Sequence, residues 1–201
     1  MRHSPSPSGQ WLVSEEGTRW FFDSGAVSLD FAATAPSSAA GGDKLVNAAD
    51  LGGWLAERFE RVDAASATER DLADALRLRA SIAAIATAVD TRHWAEADDI
   101  DTVNIYAATP DIPPALDGGQ RQAGASRIRV GQALATIARD AVELFSRDDA
   151  GERVHSCSAD DCDVIFFDDS RTANRRWCSM QRCGNRAKVR AHRARQREKT
   201  A

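Results

Sequence analysis

The sequence predicts a mainly α-helical fold in two parts: a helical N-terminal domain with a small β-hairpin, and a small C-terminal module that ends in a basic helix. Three observations support this prediction. Apolar residues recur at helical spacing between residues 47 and 146. The four cysteines of the chain all lie in its last quarter, as two C-x4-C pairs separated by fifteen residues. Positive charge is concentrated after Arg171.

The first part of the chain combines short extended segments with loops. Residues 1–10 are rich in Ser and Pro and are predicted to be disordered. Residues 19–22, Arg-Trp-Phe-Phe, predict a short strand, with a turn at residues 23–25 and a second extended segment after it. A helix is expected to begin near Leu29, and the Pro-, Ser- and Gly-rich residues 35–43 predict a loop.

Four longer helices follow. Asn47 and Thr68 precede apolar periodic segments and are residue types that cap helix N-termini, so each is predicted to start a helix. Three prolines and a Gly-Gly pair between Thr109 and Gly131 break the helical pattern and predict a loop with a small hairpin. The helices are predicted over residues 47–61, 67–92, 95–107 and 131–146, and the hairpin strands over residues 120–122 and 126–130.

Residues 147–152, Arg-Asp-Asp-Ala-Gly-Glu, are predicted to link the two parts, because helical periodicity stops there and the cysteine pattern begins. The sequence therefore predicts a disordered start over residues 1–10, a helical domain over residues 11–150 and a C-terminal module over residues 151–201. No apolar run approaches the roughly 20 residues that cross a bilayer, so we expect no membrane partner.

The cysteine spacing is typical of a zinc site. Two short pairs, Cys157 with Cys162 and Cys178 with Cys183, can place four thiolates around one ion at about 2.3 Å when the intervening segment folds back. The alternatives are two disulfides or four unrelated thiols. The first eight residues lack the apolar core of a secretory signal peptide, so we expect a cytoplasmic protein, and disulfides rarely persist in the cytoplasm. Four thiolates leave no coordination position for a water, so one structural zinc per chain is expected.

The residues around the cysteines predict a treble-clef-like zinc finger. Residues 164–167, Val-Ile-Phe-Phe, predict a strand that turns at residues 168–170. Ser179 is predicted to cap a helix with its hydroxyl, and Cys183 then lies in the first turns of that helix. In so small a module we expect zinc binding to supply much of the free energy of folding.

Residues 176–188, Arg-Trp-Cys-Ser-Met-Gln-Arg-Cys-Gly-Asn-Arg-Ala-Lys, resemble the signature of the CGNR zinc-finger family, whose name is spelled by residues 183–186. The first cysteine pair and residues 164–171 resemble the upstream half of that signature. Residues 28–34, Ser-Leu-Asp-Phe-Ala-Ala-Thr, are similar to the opening motif of ABATE, the helical domain that usually precedes this finger. The resemblance implies a transcription regulator with a DNA-binding zinc module and an N-terminal domain that senses stress or a small ligand.

Charge is strongly polarised along the chain. Residues 1–150 hold 14 Lys and Arg against 23 Asp and Glu, whereas residues 171–201 hold 11 against one. A basic end on an acidic body indicates that the end meets a polyanion; the alternative is a tail that only aids solubility. We expect double-stranded DNA as the partner, which would place the bound protein at the nucleoid. The predicted contacts are Arg171, Arg175, Arg176, Arg182, Arg186, Lys188, Arg190, Arg193, Arg195 and Arg197.

Other functions have weaker support in the sequence. It contains no P-loop, dinucleotide-binding, zinc-protease or nucleophile-elbow motif, so we expect no catalytic residues and no enzymatic activity. The basic module would also suit RNA or an acidic protein, which makes an RNA-binding or adaptor protein the alternative. The acidic residues between 96 and 101 could hold a divalent ion, although a solvated helix face explains them more simply.

The N-terminal domain carries less specific signals. Aromatic residues concentrated in the first quarter of the chain suggest a pocket for a small-molecule effector, with a packed core as the alternative. The candidate pocket residues are Trp20, Phe22, Phe31 and Trp54. Because one basic helix holds DNA weakly, we also expect a homodimer formed through this domain.

Overall fold

The mainly α-helical fold class is confirmed. A computed structural model describes residues 8–14, 17–38, 41–114 and 127–200. Within these residues, two two-stranded antiparallel sheets accompany the helices. The strands are β1 (Gln10–Val13), β2 (Arg19–Phe22), β3 (Val154–Ser156) and β4 (Ile165–Phe167), and the helices are α1 (Val27–Ala32), α2 (Ala48–Ala56), α3 (Glu69–Asp90), α4 (Ala97–Ala108), α5 (Val130–Phe145), α6 (Ala150–Arg153) and α7 (Asn185–Thr200). A 3₁₀ turn spans Ala64–Ser66 and a π-helical turn spans Met180–Gly184.

Complete capping boxes confirm the predicted starts of α2 and α3. The Asn47 side chain accepts a hydrogen bond from Asp50 N at 3.0 Å, and the Asp50 carboxylate accepts one from Asn47 N at 3.2 Å. Thr68 and Asp71 form the same reciprocal pair at the start of α3, at 3.2 and 2.9 Å. Each box satisfies two backbone N–H groups near a helix end, where intrahelical partners are lacking.

Helix α2 ends at Ala56, before the predicted end at Arg61. Gly52 lies against the 3₁₀ turn, and a Cβ at this position would be 2.0 Å from Ala64 O. The chain after α2 therefore folds back against the helix at a distance that only glycine permits. Phe59, in the reversing segment, is buried in the helical core, and a helix continued to Arg61 would not return the chain to Gly52.

The main core lies around α3, which contacts α1, α2, α4 and α5. The predicted apolar faces of α3 and α5 are buried, with Leu78, Ile82 and Ile137 fully enclosed. Phe31 and Val103 extend the same cluster from α1 and α4. Burial of one such side chain contributes roughly 1.5–3 kcal/mol, so this cluster stabilises the body of the protein. No helix in the described part of the chain has the length and apolar character needed to cross a bilayer.

The N-terminal hairpin differs from the prediction. Strand β2 forms as expected, but its partner is the upstream strand β1 and not a segment after the turn at residues 23–25. Gly25 adopts a φ of 81°, which glycine tolerates, and the chain passes through it directly into α1. A Cβ at Gly25 would also lie 2.6 Å from Phe167 O, so the turn is packed too closely for another residue.

Residues 8–10 are part of the fold, although they belong to the predicted disordered start. Gly9 N donates a hydrogen bond to the Asp30 carboxylate, and the Gln10 side chain donates one to Asp30 O at 2.6 Å. Residues 1–7 and the predicted hairpin strand at residues 120–122 lie outside the described residues. In the other predicted strand of that hairpin, Ile128 forms a single parallel bridge with Val62.

The helical body and the cysteine-containing module pack directly against each other. Leu12, Trp20 and Phe22, on the inner face of the β1–β2 hairpin, share a buried cluster with the cysteines and Phe166. Phe167 joins a second cluster with side chains of α1, α3 and α5. The predicted linker overlaps α6, whose first residue, Ala150, is buried. The domain boundary at residue 150 stays a prediction.

Asp30 is a buried carboxylate at the junction of the hairpin and α1. It is fully enclosed and accepts hydrogen bonds from the backbone N–H groups of Gly9 and Ser24. Burial raises the pKa of the Asp30 carboxyl to about 6, against the lowering effects of these hydrogen bonds and of the nearby Arg58 charge. A carboxyl whose pKa is higher in the folded than in the unfolded protein makes the fold less stable as pH rises between the two values.

We predict that the free energy of unfolding of the wild-type protein, relative to that of Asp30→Asn, falls by about 2.4 kcal/mol between about pH 4 and about pH 7. The reason is that the Asp30 pKa rises from 3.8 in the unfolded chain to about 6 in the fold. Urea unfolding monitored by tryptophan fluorescence measures both proteins. Subtracting the free energy of unfolding of Asp30→Asn from that of the wild type removes the pH dependence that the two proteins share, including that of the cysteines. Parallel pH profiles would contradict the prediction.

Candidate metal centre and nucleic-acid interface

The four cysteine sulfurs converge on one point. All four Sγ atoms lie within 4.8 Å of one another, with 3.6 Å between Cys162 and Cys178 and 3.4 Å between Cys178 and Cys183. A tetrahedron of sulfurs at about 2.3 Å from a zinc ion has edges of about 3.8 Å, so the arrangement fits that ion. Cys162 is half-buried and the other three are buried. The donor set and the geometry support one structural zinc held by four thiolates.

The first cysteine pair lies on a knuckle next to the β3–β4 sheet. Cys157 follows β3, and its backbone N–H donates to Val164 O at 2.9 Å, which continues the pairing of the two strands. The chain then reverses, and Cys162 N donates to Ala159 O at 3.0 Å. Strand β4 falls within the predicted apolar segment at residues 164–167. The knuckle turns both thiols towards the second pair, and Cys178 N donates to Cys157 Sγ at 3.4 Å.

The second pair is brought together by the π-helical turn. Gly184 N donates to Ser179 O at 3.0 Å, a hydrogen bond that spans five residues. Because Cys178 and Cys183 are also five residues apart, the wider turn stacks them, as π-turns at functional sites often do. Cys183 lies in the first turn as predicted. The predicted role of Ser179 is corrected: it is the N-cap residue, but its hydroxyl makes no capping hydrogen bond.

Gly184 lies close to the side chains of Met180 and Trp177. A Cβ there would lie 2.8 Å from both Met180 Sδ and Met180 Cε, and 3.2 Å from Trp177 Cδ1. Trp177 is half-buried and packs against the cysteine cluster. A side chain at Gly184 would therefore displace the tip of Met180 and shift Trp177 slightly over the last ligand.

Hydrogen bonding among the sulfurs lowers the pKa of two thiols, Cys157 and Cys183, and raises the pKa of the other two, Cys162 and Cys178. Hydrogen bonds from the other three cysteines hold the pKa of the Cys183 thiol well below its usual range, and the Arg186 guanidinium adds to this, with its Nη2 3.3 Å from the sulfur. Hydrogen bonds from Cys162 and Cys178 lower the pKa of Cys157 to about 7. Hydrogen bonds to Cys157 raise the pKa of Cys162 and Cys178. Thiolate is the form that binds a metal, so zinc binding would release the protons of these two thiols.

Asp161 fixes the start of α7 to the first knuckle. Its carboxylate pairs with Arg186 Nη1 at 2.9 Å and with Arg190 Nη2 at 2.8 Å. Arg190 Nη1 also lies 3.7 Å from the Asp160 carboxylate. Sequence reasoning missed this role of Asp161, because the acidic residues of the knuckle are distant in sequence from the arginines. Two of the ten predicted DNA contacts, Arg186 and Arg190, are therefore partly neutralised within the module.

Arg175 and Arg182, two further predicted DNA contacts, make contacts within the protein. The Arg175 guanidinium donates to the carbonyls of Trp177, Cys178 and Asp23, at 3.1, 2.6 and 2.8 Å. Arg182 is 9% exposed and lies 5.2 Å above the Trp20 ring. Arg182 lies in the π-helical turn before α7, where its side chain packs against the hairpin. Both arginines join the module to the helical body.

The remaining six predicted DNA contacts are exposed and have no ion-pair partner among the described side chains. They lie in two segments, the loop before the second cysteine pair and helix α7. Every described side chain from residue 188 to residue 197 is exposed, so this length of α7 has no apolar face against the body. The six residues are Arg171, Arg176, Lys188, Arg193, Arg195 and Arg197.

The structure divides the four predicted effector-pocket residues between two buried clusters. Trp20 and Phe22 pack beside the cysteines, whereas Phe31 and Trp54 contact each other in the helical core, with ring centroids 5.3 Å apart. Of the four, only Trp54 also lines the cavity of about 530 Å³ that lies between the hairpin and α2. Sequence reasoning missed Arg58 in its wall, although the position of Arg58, four residues after Trp54, places it on the same face of the helical segment.

Two family models match the chain. The ABATE model, described as "Putative stress-induced transcription regulator", matches residues 25–148, which is more than half of the chain. The CGNR zinc finger model matches residues 153–196 and includes all four cysteines. Both parts of the predicted resemblance are confirmed. Among curated proteins, none matches the sequence.

Loss of one thiolate should release the metal. We predict that Cys183→Ser weakens zinc affinity by more than about 100-fold, since loss of even an outer-shell partner costs 10- to 100-fold. Competition with a chromogenic chelator measures the affinity, and elemental analysis should give one zinc per wild-type chain. The matched control is Ser179→Ala in the same turn, which should keep zinc because the hydroxyl makes no capping bond. Equal zinc content in Cys183→Ser and wild type would contradict the four-thiolate site.

Proposed function

Since the chain belongs to the ABATE family and ends in a CGNR zinc finger, we propose that it is a transcription regulator that binds double-stranded DNA through α7 and the residues before the second cysteine pair. The observation that carries this proposal is the surface of α7. From residue 188 to residue 197 the helix is exposed on all sides and rich in cations. Such a helix lacks the apolar stripe that normally holds a helix to a protein body.

Phosphate is a suitable counterion for this helix. Like charges spaced four residues apart destabilise an isolated helix, and close phosphates would remove that repulsion. An α-helix fits the major groove of B-DNA, where phosphate contacts set its register and base contacts provide specificity. We assign the phosphate contacts to the exposed cations of α7, together with Arg171 and Arg176 on the preceding loop.

The uneven distribution of charge along the chain supports an orientation in which the zinc module faces the DNA. Residues 171–201 carry 11 basic residues and one acidic residue, whereas residues 1–150 carry an excess of nine acidic residues. The body would be repelled by DNA, so the favourable approach presents the zinc module first. Arg175 and Arg182 hold that module against the hairpin, which fixes the direction in which α7 leaves the body.

The zinc in this proposal has a structural role, and we assign the site no catalysis. Four thiolates complete a tetrahedral coordination and leave no position at which a water could be activated. The metal instead holds the first turn of α7 against the β3–β4 knuckle.

We assign the helical domain to dimerisation. One helix gives a small DNA interface, and a homodimer would present two copies of α7 to half-sites about one helical turn, roughly 34 Å, apart. Trp94 is 98% exposed and Ile105 is 66% exposed, so the described surface of this domain offers apolar side chains for such contact. In the cell, DNA binding would place the protein at the nucleoid.

We predict salt-dependent binding of random-sequence duplex DNA. Contact with about five phosphates gives a slope near −4.5 for log affinity against log salt concentration. Fluorescence anisotropy of labelled duplex measures the slope, and a chelator should abolish binding. Arg195→Ala should reduce the slope by about 1. The control is Arg70→Ala, an exposed arginine at the start of α3, which should change nothing.

Three outcomes would contradict DNA binding. A slope near zero would show that phosphates are not contacted. Tighter binding of single-stranded or hairpin RNA than of duplex would favour the RNA-binding alternative. Zinc-loaded protein that binds neither nucleic acid would favour the protein adaptor.

We also predict that Asp161→Asn strengthens DNA binding two- to five-fold at low salt, or about 0.4–1 kcal/mol, the range for exposed ion pairs. The substitution frees Arg186 and Arg190 for phosphates. Asp169→Asn is the matched control, since it removes the same charge from an exposed position of the module. Anisotropy titrations compare the two variants. Weaker binding by Asp161→Asn would show that the ion pairs hold α7 in its binding position.

A further inference from the structure

The cavity between the β1–β2 hairpin and α2 has the size and chemistry of a small-molecule site. Its volume of about 530 Å³ lies within the range of roughly 300–1,000 Å³ typical of ligand pockets. The outer face of the hairpin forms one wall with Trp11 and Phe21, and α2 and the residues after it form another with Trp54 and Arg58. Lys44 enters from the loop before α2.

Arg58 is a buried cation with unused hydrogen-bonding capacity. Its side chain is 4% exposed and lies 3.8 Å above the Trp54 ring. Its Nη atoms donate to Trp54 O and Gly9 O at 3.2 and 3.3 Å. Its Nε is buried without a hydrogen-bond partner among the described residues. A buried, unpaired donor on a charged group is costly, and an anion in the cavity would supply the missing acceptor.

Lys44 adds a second cation to the same cavity. Its Nζ donates to Trp11 O at 2.7 Å. Burial, together with the charge of Arg58, lowers the pKa of the Lys44 ammonium to about 8, although Glu57 and Asp30 oppose this effect. Two close cations repel each other, and a bound anion would relieve that repulsion.

The acidic groups near the cavity do not provide this anion. The Glu57 side chain is 77% exposed and reaches Arg58 only at 3.5 Å. The Asp50 carboxylate is occupied by the backbone N–H groups of Val46 and Asn47 at the start of α2. Asp30 is enclosed, and burial raises the pKa of its carboxyl to about 6. The wall also contains a third cation, Arg19, which lies 4.3 Å from the centroid of the Trp11 ring. The wall therefore keeps an excess of positive charge.

The rest of the lining is aromatic. Trp11 and Phe21 form an edge-to-face pair with centroids 5.5 Å apart, yet they are 53% and 43% exposed. Trp54 also lines the cavity from α2, although it is 7% exposed and Arg58 lies over its ring. Aromatic side chains left open to solvent at a cavity wall offer stacking and edge contacts to a planar ring.

We propose that this cavity binds a small aromatic carboxylate. Arg58 and Lys44 hold the carboxylate, and Trp11, Phe21 and Trp54 enclose the ring. The carboxylate suits the planar guanidinium, which can bind two oxygens at once. This proposal does not depend on DNA binding.

The test uses full-length, zinc-loaded protein with 2-naphthoate as the probe. Isothermal titration calorimetry at constant ionic strength compares 2-naphthoate with 2-naphthalenemethanol, its neutral counterpart, and with inorganic phosphate, an anion without a ring. We expect 2-naphthoate to bind at least about ten-fold more tightly than either, since it alone combines charge and ring. Quenching of tryptophan fluorescence should report the same affinity.

Substitutions locate the site. Lys44→Met and Arg58→Met should each weaken 2-naphthoate binding at least about ten-fold, and Glu57→Gln should strengthen it two- to five-fold. The matched control is Arg70→Met, an exposed cation outside the cavity wall, with no change expected. Because Arg58 also holds the Gly9 carbonyl, its variant can lose stability; Lys44→Met and Glu57→Gln keep the test decisive.

Three results would overturn the proposal. Equal affinity for 2-naphthoate and its alcohol would remove the role of the two cations. Unchanged binding in both Lys44→Met and Glu57→Gln would place the ligand elsewhere. Phosphate that binds more tightly than 2-naphthoate and displaces it would make this a site for inorganic anions.

Discussion

The convergence of four thiolates on one point is the constraint on which the rest of this structure depends. Residues 157–162 and 178–183 are short, polar segments that could not form a core by themselves. A shared zinc ion supplies the cross-link, and in small zinc modules the free energy of metal binding is free energy of folding. Around the sulfurs the protein adds Leu12, Trp20 and Phe22 from the N-terminal hairpin. The metal centre is therefore both the core of the finger and its joint with the helical body.

The position of α7 follows from that centre. The last ligand, Cys183, lies in the turn from which the helix starts, so the helix direction is set by metal geometry. Asp161 fastens one side of its first turns, and Arg182 packs the other side onto Trp20. Beyond this anchor, the helix extends without contact to an apolar surface. The cations of this region therefore form two groups: those that stabilise the fold near the metal centre, and those further along α7 that are accessible to a polyanion.

The β1–β2 hairpin serves two sites because its side chains alternate between two faces. The inner residues Leu12, Trp20 and Phe22 pack on the cysteine cluster, and the outer residues Trp11 and Phe21 line the cavity beside Arg58. The two environments are thus separated by the thickness of a single sheet. A shift of the hairpin would therefore alter both the cavity and the zinc module, where Trp20 contacts Arg182.

Features determined by neighbouring residues could be predicted from the sequence alone. The cysteine spacing identified the four ligands, and Asn47 and Thr68 marked two helix starts, because a capping box involves residues three positions apart. Apolar periodicity located α3 to α5 within a few residues, and the CGNR and ABATE motifs identified the family. Seven of the ten cations proposed to contact DNA are exposed, and six of these have no ion-pair partner among the described side chains.

Features that depend on distant contacts were decided only by the tertiary structure. The pairing of β2 with the upstream β1, and the ordering of residues 8–10, depend on Asp30 and on packing against the zinc module. Arg182 packs against Trp20 from the π-helical turn, and Arg175 bonds to Asp23 on the hairpin side of the interface. Asp161 and Arg58 acquired their roles from partners 25 or more residues away. Hydrogen bonds within a turn depend on residues that are close in sequence, so local spacing predicts them. The surroundings of a charged side chain depend on distant segments, which only packing of the core and metal binding bring together.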